Sequence, residues 1–171
     1  FKMNMYVITP NTRKLLLLFA PLFLAFSLDA QTYLISEGGT VNSCSATLFD
    51  SGGEASDYAD NEALVMTFCG DASADSLYLN IVFFDIETNF DFLNIYEGTT
   101  ASGIPAFQLT GIIAGQSITF LSNCITLEFT SDGSVSRDGF EIQITCTGPT
   151  CDDGLQNGDE LGIDCGGSDC D

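Results

Sequence analysis

Between Thr40 and Cys146 the chain is a succession of short β-type runs, each broken by Gly, Ser, Asp or Asn within a few residues. They fall at 46–49, 64–68, 77–84, 92–96, 106–109, 117–120, 124–129 and 140–146, with no sustained helical period between them. Eight such runs at close spacing argue for an all-β sandwich. Alternation marks the buried face where it is cleanest. Ile125, Leu127 and Phe129 face one way and Thr126 and Glu128 the other, and Phe140, Ile142 and Ile144 repeat the pattern against Glu141, Gln143 and Thr145. The run 79–84 becomes apolar on both faces near its end, as a central strand would, so Phe83 joins Phe129 as a candidate core residue.

Charge removes most functional classes. The chain carries 24 Asp and Glu against 4 Lys and Arg, with no His, for a net charge of -20. Nucleic-acid binding of the usual kind needs clustered cations to neutralise phosphates and is excluded. Lys2, Arg13 and Lys14 lie in the first thirty residues, so the body keeps Arg137 as its sole cation. Without His or Lys it cannot build a Ser-His-Asp or Cys-His centre, a Schiff-base lysine or an imidazole zinc site. The expectation is therefore a protein that is not an enzyme. Acid-catalysed hydrolysis by two carboxylates stays open as a third-ranked reading, since close carboxylate pairs arise by chance on so acidic a chain.

Residues 1–30 read as an export signal. Arg13 and Lys14 supply the charged region, 15–28 an apolar run, and cleavage is expected after Ala30. That run is shorter than the roughly 20 residues a membrane span requires, and Pro21 interrupts it. The expected product is secreted or held at the cell surface, with no membrane span once the signal is removed. Residues 31–39 read as a linker and 40–147 as the main domain. After Gly148 the texture turns polar and Cys-rich to residue 171, a segment that cannot carry a core and must be stapled. Seven cysteines in an exported chain predict disulfides. Cys44, Cys69, Cys124 and Cys146 lie in the body, where three pairings are possible. Alternation speaks against joining Cys124 to Cys146 in a simple hairpin, because Cys124 shares the outward parity of Thr126 while Cys146 shares the inward parity of Ile144. Cys151, Cys165 and Cys170 fall in the tail, and the odd count suggests that the Cys-rich segment is truncated.

Glu87, Asp91 and Asp132 each sit at the end of a β run, in turns rich in oxygen donors. Such loops can converge on a hard cation, or the three can be part of a solvated acidic surface.

The body resembles a CUB domain, a jelly-roll β-sandwich of secreted proteins, and is most similar to the bacterial, calcium-binding branch of that family. The resemblance is carried by CSATLFDSGG at 44–53, YADNE at 58–62 leading to MTFC at 66–69, FFDIE at 83–87, DFLNIYEG at 91–98, LEFTSDGS at 127–134 and the Gly139-Phe140 pair. It implies a Ca²⁺ site formed by the side chains of Glu87, Asp91 and Asp132, with backbone oxygens of Ser134 and Val135. It also implies that Tyr58 hydrogen-bonds Glu87 from behind the ligands. The disulfide it implies is Cys44 to Cys69, which leaves Cys124 to Cys146. The tail resembles a short repeat, C-x-D-G-x-x-N-G-x-E-x-G-x-D-C-G-G, found beside adhesion-type modules.

These readings predict a non-catalytic, Ca²⁺-stabilised extracellular protein-interaction module of a larger secreted protein. Its partner is expected to be a protein with an exposed Lys or Arg. The alternative is a carbohydrate-binding module of a secreted hydrolase, although the chain has no Trp to stack on a sugar ring.

Overall fold

Ten strands, all but two of them anticipated as short β-type runs, build the fold of the described residues. A computed structural model describes residues 30–71, 74–113 and 115–147. The expected signal up to residue 29 and the Cys-rich segment 148–171, with Cys151, Cys165 and Cys170, lie outside the described residues. In chain order the strands are β1 (Gln31–Leu34), β2 (Gly39–Asn42), β3 (Ser45–Phe49), β4 (Ala63–Cys69) and β5 (Ser76–Asp85), followed by β6 (Phe92–Glu97), β7 (Phe107–Leu109), β8 (Gln116–Phe120), β9 (Cys124–Thr130) and β10 (Gly139–Thr147). They form two five-stranded sheets in the orders β1-β3-β10-β5-β8 and β2-β4-β9-β6-β7. Among the described residues no helix is long and apolar enough to cross a membrane.

The inward residues of the two sheets meet as expected from their period of two. Ile125, Leu127 and Phe129 of β9 and Phe140, Ile142 and Ile144 of β10 are fully or almost fully buried. Phe129 packs edge-on against Phe140 across the gap between sheets, with ring centroids 5.5 Å apart, and edge-on against Tyr58 at 5.0 Å. Edge-to-face pairs of this kind add about 0.5–1.5 kcal/mol to the burial itself.

Three expectations need correction. Residues 31–39 are not a linker. β1 pairs parallel to β3 and β2 parallel to β4, so the N-terminal arm adds an edge strand to each sheet, and Ile35 between them is fully buried. The reversal passes through Gly38 and Gly39 at φ 62° and 78°, which residues with a Cβ rarely adopt.

Phe83 is not in the core, for its ring is 40% exposed. The register of β5 on β10 shifts between Ile81 and Phe83, so Val82 is an extra residue and both Val82 and Phe83 face outward before Phe84 turns back in.

The disulfides are Cys44–Cys146 and Cys69–Cys124, not Cys44–Cys69 and Cys124–Cys146. Register explains both. Cys69 lies directly opposite Cys124 on the antiparallel pair β4 and β9, and Cys44 lies one step beyond the last paired residues of β3 and β10, Ser45 and Thr145. Cys124 and Cys146 do not form a hairpin pair, since β9 and β10 belong to different sheets, and each cysteine finds its partner within its own sheet.

Candidate metal centre

One end of the sandwich gathers the loop after β3, the turn between β5 and β6, and the loop after β9. The middle turn is built by its own backbone. The Asp91 N–H donates to the Glu87 carbonyl at 3.1 Å, and Asn89 sits at φ 66°, a left-handed position that Asn tolerates better than most residues. Thr110 braces the turn from outside, its hydroxyl accepting the Asn89 N–H at 2.8 Å and donating to the Glu87 carbonyl at 3.2 Å. The loop after β9 is tied to the segment after Tyr58 by Asn61, whose N–H donates to the Asp132 carbonyl at 2.6 Å, and by Ser131, whose hydroxyl donates to the Ala59 carbonyl at 2.7 Å.

These constraints bring Glu87, Asp91 and Asp132 together. One carboxylate oxygen from each lies within 4.8 Å of the others. Asp91 is buried and anchors the group, its Oδ1 accepting the Asp132 N–H at 2.8 Å and its Oδ2 accepting the Tyr58 hydroxyl. Asp132 Oδ1 accepts the Ser134 N–H at 2.9 Å. Tyr58 does reach Glu87, as the family pattern implied, but through the backbone N–H and not the carboxylate, and its own proton goes to Asp91. Its hydroxyl donates to Asp91 and accepts the Glu87 backbone N–H at 3.0 Å, so it holds two members of the trio by different groups. Burial and the bond to Asp91 push the Tyr58 phenol far above its ordinary range. Ser134 and Val135 occupy the same loop. Val135 is at φ 67° with its side chain half exposed, a strained conformation for a β-branched residue that costs on the order of 1–3 kcal/mol.

The electrostatics are those of an uncompensated anion site. Desolvation first, then the neighbouring charges of Asp132 and Asp91, raise the Glu87 pKa, and Arg137 only partly opposes them. Arg137 is itself engaged at 3.8 Å with Asp85. Glu87 Oε2 is buried with no hydrogen-bond partner. A divalent cation fits this donor set. All the available side-chain atoms are hard oxygens, and oxygens held at roughly 2.3–2.6 Å from one Ca²⁺ can lie no more than about 5 Å apart. Sequence reading identified the three carboxylates but missed Asn61 and Thr110, which position them; the left-handed preference of Asn in a turn was the one local signal available for Asn61.

The family model of the CUB domain matches residues 49–144, more than half of the chain. The chain belongs to the CUB family. Several solved structures, some of them of CUB domains, share the fold. The full extracellular region of zebrafish Gpr126/Adgrg6 superposes with a TM-score of 0.58 at 18% identity over 68% of this chain. The CUB1-EGF-CUB2 domain of human MASP-1/3 gives 0.54 at 18% identity over 64%. The MASP-1 CUB2 domain bound to Ca²⁺ gives 0.52 at 20% identity, covering 63% of this chain and 97% of that one. The chain spans only 15% and 41% of the first two. CUB domains are in general non-enzymatic extracellular protein-interaction modules, and two disulfides suit such a setting.

Proposed function

We propose that this CUB domain is a Ca²⁺-stabilised, non-catalytic interaction module of a larger exported polypeptide, carried out of the cell by residues 1–30 and followed by a stapled Cys-rich segment. The observation that supports the metal is the buried, unpartnered Glu87 Oε2 beside two further carboxylates, which a cation would satisfy and repulsion would otherwise strain. Glu87, Asp91 and Asp132 would hold the ion, with carbonyls of Ser134 and Val135 completing the shell and Tyr58 fixing Asp91 from behind. Bound there, the ion would order the loops and leave acidic oxygens facing outward for a Lys or Arg of a protein partner, in a field of 16 carboxylates and one Arg among the described residues.

Thermal melting tests the metal. The Tm is expected to fall in EDTA and to recover with Ca²⁺ but not with Mg²⁺, whose small octahedral shell a loose loop site does not supply. Asp132→Ala should abolish the response. A melt unchanged by EDTA in the wild-type protein would overturn the proposal.

A further inference from the structure

Beside the start of β10 the fold leaves an open cavity of about 390 Å³ that has no part in the carboxylate trio. Phe49, Phe83 and Phe140 give it an aromatic lining, and the outward ring of Phe83 is its exposed member. Asp50 ties its two walls together. The Asp50 carboxylate accepts the Gly52 N–H at 2.7 Å and the Phe140 N–H at 2.9 Å, which joins the loop after β3 to β10. Gly139 makes that approach possible, since a Cβ there would stand 1.9 Å from Asp50 Oδ2. The cavity is thus a built feature of the fold, held by a buried carboxylate.

We infer that this cavity receives an arginine side chain of a partner protein. Charge selects the occupant. Glu54, Asp57, Asp138 and Glu141 also line the cavity, and none of its lining side chains is basic. Spacing selects an organic cation over a metal ion. Among the described residues Glu87, Asp91 and Asp132 are the one group of three or more such side chains close enough to share an ion, so no three of the carboxylates around the cavity converge in that way. An extended charge on a flat frame suits them. A guanidinium stacks on an aromatic face such as that of Phe83, forks toward carboxylates, and sheds water more readily than a lysine ammonium. The volume lies near the lower end of the roughly 300–1,000 Å³ of ligand pockets, which leaves ample room for an arginine side chain. This inference does not depend on the Ca²⁺ proposal.

The test is an NMR titration of the exported chain, disulfides intact and saturated with EDTA, with the capped tripeptide Gly-Arg-Gly and its citrulline and lysine counterparts. The arginine peptide is expected to shift the amides of Gly53, Phe83, Asp138 and Glu141 saturably. Its affinity should exceed that of the lysine peptide at least threefold, and the citrulline peptide should not bind. Phe83→Ala and the double variant Asp138→Asn/Glu141→Gln should each weaken binding about fivefold or more, and Asp132→Ala should leave it unchanged. Equal binding of citrulline or lysine, absence of saturable shifts at these amides, or insensitivity to both variants would overturn the inference. So would binding that appears only in Arg137→Gln, since the chain's own arginine would then be the occupant.

Discussion

Phe129 connects the core to the carboxylates through a single neighbour. Its ring packs against Tyr58, and Tyr58 in turn holds Asp91 and the Glu87 backbone. Truncation to Ala should therefore cost about 3–5 kcal/mol in chemical denaturation, as for other buried Phe. Phe83→Ala removes a ring of the same size from a half-exposed site and should cost under about 1 kcal/mol. Equal losses would show that the outward turn at Val82 and Phe83 is wrong. The contrast also shows what residue types alone reveal. Glu87, Asp91 and Asp132 were legible because acidic residues at strand ends match an ordered family pattern. The bond from Tyr58 to Asp91 was not, since it depends on which side of the turn the hydroxyl reaches. Phe83 was misread because four consecutive apolar residues conceal a bulge that shifts alternation by one.

At the level of strands, eight elements could be read as short β-type runs between turn residues, and β10 most directly from a period of two that buries Phe140, Ile142 and Ile144. β1 and β2 escaped because they are short, mostly exposed edge strands with little alternation to betray them. The disulfides escaped for a different reason. Pairing depends on which strands become neighbours, and in a two-sheet fold the neighbours of a strand are seldom adjacent in sequence. Non-reducing digestion with mass spectrometry should recover Cys44 joined to Cys146 and Cys69 joined to Cys124. Reduction should lower stability by about 2–5 kcal/mol, the usual cost of losing native bridges in small secreted domains. Recovery of Cys44 joined to Cys69 would show that the register of β3 against β10 is wrong.

Among the described residues the disulfides and the carboxylate trio lie at opposite ends of the sandwich. β9 begins at Cys124 and ends just before Asp132, so about 20 Å of strand separates a disulfide from the carboxylates. Cys44–Cys146 also closes the chain across nearly the entire sandwich, with a sequence separation of 102. This arrangement has a mechanical consequence. If the oxidised domain is pulled from residues 31 and 147, tension passes from Cys44 to Cys146 through the covalent bridge. Only β1, β2 and the residues up to 43 can be peeled away, giving about 45 Å of added length at full extension. After reduction the same pull should release about 400 Å. Single-molecule force spectroscopy distinguishes the two, and the longer extension in oxidised protein would contradict the bridge. Tyr58, Glu87, Asp91 and Asp132 all lie inside the closed loop, so a load carried along the polypeptide bypasses them. A grip formed at that end would keep its shape while the chain on either side is under tension.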